Sequence, residues 1–149
     1  MNKIAIICPY FGKFPSYIDL TFESMGTNKM INWIIFTDND VSKYNYNNIH
    51  FFKMTFGEMK KVIKEKINTD VESPYKLCDY KPTYGFIFEN FIKEYNYWGY
   101  CDLDIIFGNL SNYINEEKLK NFDKIYDLGH LAIMPNTEKF RKIFMKDVG

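Results

Sequence analysis

The chain has almost no arginine, no excess of either charge and no long hydrophobic run. Each of these absences argues against one class of function. Arg141 is the single arginine, so the sequence offers no guanidinium cluster of the kind that nucleic-acid-binding surfaces use. Nineteen basic residues balance nineteen acidic ones, and charge alone would not draw the protein to an acidic membrane. Pro9 ends the first apolar run too early for a secretory signal, and no later run approaches the length of a membrane span.

The cysteines are few and unpaired in sequence. Cys8, Cys78 and Cys101 are odd in number and widely spaced, and they form no CxxC pair. Reduced thiols are therefore expected, which favours a cytoplasmic protein. With 149 residues, 46% of them hydrophobic, residues 1–149 are expected to form a single globular domain.

Short apolar runs alternate with helical patterns along the chain. Strands are predicted at residues 3–8, 32–37, 49–54, 98–107 and 129–134. Helices are predicted from Tyr17 with Ser16 as cap, at 58–67, from Pro82 to Tyr95, in a short segment after Gly108, and after Asn136 or Thr137 as cap. The strand runs are continuously apolar, which is typical of strands buried on both faces. The pattern predicts an α/β fold with a mostly parallel central sheet.

In such sheets, ligands bind beyond the carboxyl ends of the strands. This rule selects three loops: residues 9–12, residues 37–40, and the end of the strand that begins at Trp98. Two of these loops carry an Asp-x-Asp pair, Asp38-Asn39-Asp40 and Asp102-Leu103-Asp104. The first pair lies in a turn-forming segment, where carboxylates that cap backbone groups explain it as well as a binding role does.

The second pair lies in the apolar and aromatic stretch WGYCDLDIIFGNL, residues 98–110. In a regular strand, residues i and i+2 point to the same side, so Asp102 and Asp104 can converge. Two converging carboxylates invite a cation, and Mg²⁺ or Mn²⁺ bound to one or two carboxylates completes its coordination with water and phosphate oxygens. The alternative is that one or both acids cap the Gly108 turn or pair with a lysine.

The segment KLCDYKPTYG at residues 76–85, the helical pattern after it and WGYCDLDIIFG together resemble bacterial polysaccharide-biosynthesis glycosyltransferases of the GT-A superfamily. IAIICPYFG and WIIFTDND, earlier in the chain, are similar too. The resemblance implies a Rossmann-like α/β/α sandwich and a nucleotide-diphospho-sugar donor. It further implies a glycan or lipid-linked acceptor and Mn²⁺ or Mg²⁺ as cofactor.

The resemblance also implies roles for individual residues. Asp102 and Asp104 would be the DxD motif that binds the diphosphate through the metal. His130 is a candidate for a further metal ligand, but its position at the start of a predicted strand, and not at a carboxyl end, favours a structural histidine. Asp38 would hold the base or ribose. Lys81 and Asp79 would face the same cleft, Lys81 as a diphosphate partner, although a local surface pair explains these two equally well. The residues expected to line the nucleotide pocket are Pro9, Tyr10 and Phe11.

The sequence departs from this superfamily after the DxD motif, where acceptor sites and catalytic bases generally lie. Only residues 105–149 follow, so we expect a truncated chain, an acceptor site that relies on a partner, or lost catalysis. Asp123, Asp127 and Glu138 are available as bases by position only, and the catalytic residue stays unassigned. Two alternatives remain: a fragment that binds nucleotide without turnover, and a phosphatase with Asp102 as nucleophile, which the late position of the motif disfavours.

Overall fold

A computed structural model describes residues 3–146, which contain one five-stranded sheet. The strand order across the sheet is β3-β2-β1-β4-β5; the first four strands are parallel, and β5 runs antiparallel to β4. The strands are β1 (Ile4–Tyr10), β2 (Ile31–Thr37), β3 (Ile49–Lys53), β4 (Tyr97–Cys101) and β5 (Leu131–Pro135). The prediction of an α/β fold with a mostly parallel sheet is confirmed.

Both faces of the sheet are buried, which explains the continuous apolar runs. Side chains alternate across a strand, so Ile4 and Ile6 of β1 enter one core while Ala5 and Ile7 enter the other. The first core is covered by α1 (Ile18–Thr27) and α4 (Glu116–Asn121); the second is covered by α2 (Phe56–Ile67), α3 (Tyr84–Ile87) and α5 (Glu138–Arg141).

Two predicted helix caps have different outcomes. Ser16 does not cap α1: Tyr17 occupies the cap position, and its side chain makes no capping hydrogen bond. Thr137 does cap α5, because its side chain accepts a hydrogen bond from the Phe140 backbone N–H. Helix α2 begins two residues earlier than predicted because Thr55 and Glu58 form a reciprocal capping box.

The predicted long helix from Pro82 to Tyr95 is wrong. The chain forms a 3₁₀ segment at Pro74–Thr83, the single turn α3, and another 3₁₀ turn at Glu89–Phe91. Gly85 lies so close to the sheet that a Cβ atom there would be 2.5 Å from the Trp98 ring. The Asn136 side chain donates hydrogen bonds to the carbonyl groups of Ile92 and Tyr95, at 2.8 Å each. These tertiary contacts satisfy the backbone without a continuous helix.

The strand predicted across residues 98–107 is also shorter than expected. Strand β4 ends at Cys101, and the chain bends at Leu103 and Asp104. Leu103 is buried in the first core, whereas Asp102 is half-buried and Asp104 is exposed. Both carboxylates therefore lie beyond the strand end, and the regular i, i+2 strand geometry assumed for them does not exist.

Candidate functional site

A cavity of about 660 Å³ opens between the carboxyl ends of β1 and β4. The strand order reverses between these two strands, since β2 and β3 lie on one side of β1 while β4 and β5 lie on the other. Such a switch point is where open α/β sheets bind ligands. We call this space the switch-point cavity. Its lining is Cys8, Pro9, Tyr10, Phe11, Pro15, Tyr17, Pro74, Tyr75, Leu77, Cys78, Lys81, Tyr84, Cys101, Asp102, Leu103 and Asp104.

Asp102 is the centre of the polar contacts in this cavity. Its backbone N–H donates to the carbonyl of His130 at 2.9 Å, which continues the β4–β5 pairing by one step. One carboxylate oxygen accepts a hydrogen bond from the Lys81 ammonium, and the other lies 3.1 Å from Nδ1 of His130. Its side chain is 31% exposed, so this is a carboxylate withdrawn from bulk water and held by two nitrogen partners.

Lys81 reaches Asp102 from the 3₁₀ segment that precedes α3. The Lys81 side chain is only 14% exposed, and its ammonium also donates to the carbonyl of Gly129 at 2.9 Å. Gly129 has a φ of 83°, a conformation that glycine adopts without steric cost. The ammonium lies 5.8 Å from the centre of the Tyr100 ring. Lys81 is thus a half-buried cation at the acidic end of the cavity, and its contact with Asp102 is the lysine pairing that the sequence left open as an alternative.

His130 lies beside Asp102 because β5 is antiparallel, although its side chain does not line the switch-point cavity. The amino-terminal end of an antiparallel strand lies beside the carboxyl end of the strand that it pairs with. His130, which precedes Leu131, therefore lies opposite Asp102, which follows Cys101. The sequence predicted a strand here without its direction, and the position of His130 at a strand start counted against it as a ligand. That objection does not hold in the folded chain. The His130 side chain is 72% exposed.

Asp104 lines the same cavity from the bend after Leu103. Its negative charge contributes to a raised pKa of the Tyr10 hydroxyl, after the larger effect of burial and the effect of Tyr17. The two carboxylates of the second Asp-x-Asp pair therefore face one cavity, together with Tyr10.

The predicted pocket residues Pro9, Tyr10 and Phe11 all line the switch-point cavity, but Asp38 and Asp79 do not. Asp38 accepts a hydrogen bond from the backbone N–H of Gly12 at 3.0 Å, the backbone-capping role left open for this pair. Asp79 is exposed and pairs with Lys76 at 3.4 Å, so it forms a local surface pair, though not with Lys81.

Sequence reasoning missed several lining residues. Pro74 and Tyr75 begin the 3₁₀ segment, and no pattern in the sequence indicates that this segment folds over the carboxyl ends of the strands. All three cysteines line the cavity, Cys8 and Cys101 buried and Cys78 exposed. A signal existed for Cys8, which is the last residue of a predicted strand, whereas Cys101 lies inside the strand predicted at residues 98–107 and ends β4 only in the structure. Burial raises the pKa of the Cys101 thiol well above its usual value, so this group is a neutral thiol rather than a thiolate ligand.

The comparison with protein families gives one match. A model of a family of unknown function, DUF6625, matches residues 6–149. The chain belongs to this family. In this DUF6625 protein the matched range contains every residue that lines the switch-point cavity, and His130 as well. No curated protein matches the chain. Across residues 3–146, none of the helices is both long and apolar enough to span a membrane.

The donor atoms of this DUF6625 site limit the kind of metal site that it can form. Between residues 3 and 146, no three His, Cys, Asp or Glu side chains are grouped so that they could hold a metal ion. Asp102 and Asp104 supply carboxylate oxygens, which suit Mg²⁺ or Mn²⁺, and these ions often bind with one or two protein carboxylates. The residues therefore fit an ion that is shared with a phosphate ligand, and not one that the protein holds alone.

Proposed function

We propose that this protein has a GT-A fold and is a metal-dependent glycosyltransferase. Its donor is a nucleotide-diphospho-sugar bound in the switch-point cavity, and its acceptor is a glycan or lipid-linked molecule of polysaccharide biosynthesis. The observation that carries the proposal is the convergence of Asp102, Asp104 and Lys81 on one end of a cavity at the topological switch point, with His130 in contact with Asp102.

The cavity has the size and the chemical division that such a donor requires. About 660 Å³ lies within the range of small-molecule sites. One end carries two carboxylates and the half-buried Lys81 ammonium, and the remaining walls are mostly tyrosines and prolines, with Phe11, two leucines and three cysteines. Aromatic and proline surfaces suit a base and a sugar, while the charged end suits a diphosphate with its counter-ion.

Asp102 and Asp104 would hold the metal ion, with His130 beside them. A divalent cation bound there would neutralise the charge on the departing diphosphate. Lys81 supplies a second positive charge from the protein itself. Its hydrogen bond to Asp102 is exchangeable for one to a phosphate oxygen, because the ammonium carries three donors on a flexible stem.

The base that would take the acceptor proton is not assigned. Glu138 pairs with Lys142 in α5, and Asp123 lies 3.9 Å from Lys139; neither lines the switch-point cavity. The alternative function is a module that binds the donor without turnover, and it shares the donor site. Release or transfer of sugar from an offered donor separates the two functions.

The binding test is a calorimetric titration with UDP, GDP, ADP, CDP and TDP, each with and without Mn²⁺. We expect one of them to bind the unchanged protein in a metal-dependent manner. Asp102→Asn and Asp104→Asn should each weaken that binding at least tenfold, or about 1.4 kcal/mol. Asp79→Asn is the matched control, because Asp79 is an exposed carboxylate nearby that does not line the cavity. Equal affinity with and without Mn²⁺, or equal losses for Asp79→Asn and Asp102→Asn, would refute the assigned site.

A further inference from the structure

A second cavity, of about 380 Å³, lies on the other side of the acidic segment. We call it the apolar cavity. Its lining is Ile105, Ile106, Phe107, Gly108, Leu110, Tyr126, Asp127, Leu128, His130 and Leu131. Most of these side chains are aliphatic or aromatic, and three of the apolar ones are exposed: Leu128 is 84% exposed, Ile106 60% and Tyr126 39%. Exposed apolar residues gathered around a cavity mark a binding surface more often than a structural one.

The apolar cavity is continuous with the proposed donor site along the chain. Leu103 and Asp104 line the switch-point cavity, and Ile105 and Ile106, the next two residues, line the apolar cavity. His130 belongs to the apolar cavity, and its ring contacts Asp102 in the other cavity at 3.1 Å. A molecule in the apolar cavity is therefore adjacent to the acidic end of the donor site.

One wall of the apolar cavity is firmly attached to α1. The Phe107 backbone N–H donates to Oγ of Ser24 at 2.9 Å, and the Leu110 backbone N–H donates to Oδ1 of Asn28 at 2.8 Å. Asn28 also donates from its side-chain amide to the carbonyl of Gly108 at 2.9 Å. These three hydrogen bonds fix the segment against α1 while Ile106 stays exposed, so this apolar surface is preformed and costs little ordering on binding.

The opposite wall contains backbone strain. Tyr126 has a φ of 61°, a left-handed conformation that is unfavourable for a tyrosine, and it precedes the exposed Leu128. Strain of this kind persists where the surrounding structure enforces it, and it is concentrated at functional sites. Here the strained residue, Tyr126, and the exposed Leu128 both line the apolar cavity.

We propose that the apolar cavity binds the aliphatic chain of the acceptor substrate, so that the acceptor is an amphiphile whose sugar or hydroxyl head lies toward Asp102 and Asp104. This inference rests on the proposed glycosyltransferase function and specifies its acceptor. The walls favour an alkyl or isoprenoid chain over a flat ring, because five of the lining residues are Ile or Leu. The polar side chains Asp127 and His130 border the same cavity and suit the head group.

The test uses n-octyl β-D-glucopyranoside below its critical micelle concentration as the probe, with methyl β-D-glucopyranoside as the chain-free comparison. Amide chemical shifts in two-dimensional NMR report where each compound binds and how tightly. We expect the octyl compound to shift the amides of residues 105–110 and 126–131, and the methyl compound to shift neither group. Leu128→Asp should weaken octyl binding about tenfold, because the octyl chain removes roughly half of the exposed Leu128 surface from water when it binds. Leu20→Asp is the matched control, since Leu20 on α1 is 54% exposed and lines neither cavity.

Four outcomes would overturn the inference. The first two are equal binding of the two glucosides and octyl binding that Leu128→Asp leaves intact. The third is chemical-shift changes centred on other exposed apolar residues such as Phe122, and the fourth is self-association that Leu128→Asp abolishes, without any octyl binding. The last outcome would assign the surface to a second copy of the chain. Nucleoside-diphosphate binding is measured separately on the unchanged protein. Metal-dependent nucleotide binding without octyl binding would refute only the acceptor inference, whereas octyl binding without nucleotide binding would refute the donor site.

Discussion

Replacement of Lys81 by methionine removes the ammonium that Asp102 faces while keeping most of the side-chain volume. The Lys81 and Asp102 side chains are 14% and 31% exposed, so their interaction is screened less than a surface pair and more than a fully buried one. Lys81→Met also leaves the Gly129 carbonyl without its side-chain donor. Exposed pairs contribute about 0–1 kcal/mol, and loss of one partner of a fully buried pair costs about 3–5 kcal/mol. We therefore expect Lys81→Met to lower the free energy of unfolding by about 1–2 kcal/mol.

A double-mutant cycle isolates the pair from the other effects of each substitution. The unchanged protein, Lys81→Met, Asp102→Asn and the double variant are unfolded in urea at neutral pH, with circular dichroism as the signal. The coupling energy should be about 1–2 kcal/mol. The control cycle uses Lys76 and Asp79, an exposed pair at 3.4 Å, and should give less than about 0.5 kcal/mol. A Lys81–Asp102 coupling no larger than that of the control pair would refute the reasoning that this lysine balances a withdrawn carboxylate.

Two further predictions concern packing and pH. Gly85→Ala should destabilise the protein by about 1–3 kcal/mol in urea unfolding, because its Cβ would meet the Trp98 ring at 2.5 Å. Gly57→Ala in α2, where the nearest atom is 3.8 Å from the added Cβ, should instead be neutral or stabilising, and similar losses for both variants would contradict the packing argument. Lys66 lowers the pKa of Glu89 below 4.5 through a hydrogen bond at 2.8 Å. This pair therefore stabilises the fold above pH 4.5, and its contribution is lost as the pH falls through the folded-state pKa of Glu89. The stability difference between the unchanged protein and Glu89→Gln should therefore shrink in acid; a difference that stays constant with pH would exclude this linkage.

Most of the strands, and the strand ends at which the switch-point cavity lies, were accessible from the sequence because burial on both faces leaves a strong signal. The apolar residues of the runs at 3–8 and 32–37 lie within β1 (Ile4–Tyr10) and β2 (Ile31–Thr37) in the structure. The carboxyl-end rule then selected Asp102 and Asp104 and the loop at Pro9, all of which line one cavity.

The remaining features depend on tertiary contacts that no local pattern encodes. The apolar spacing after Pro82 fits a helix, yet the close approach of Gly85 to Trp98 and the Asn136 hydrogen bonds favour short turns. The direction of β5 is equally hidden, because one strand's composition does not determine its orientation. The proximity of His130 to Asp102 follows from that direction and could not be predicted.

The placement of the three cysteines has a practical consequence for labelling. Cys8 and Cys101 are buried beneath the switch-point cavity, whereas Cys78 is exposed at its edge, where its thiol donates a hydrogen bond to the carbonyl of Tyr75 at 3.0 Å. A thiol-reactive fluorophore would therefore attach at one position, beside Tyr75 in the lining of the cavity. The protein could thus carry a fluorescent reporter of ligand binding in the switch-point cavity without the introduction or removal of any cysteine.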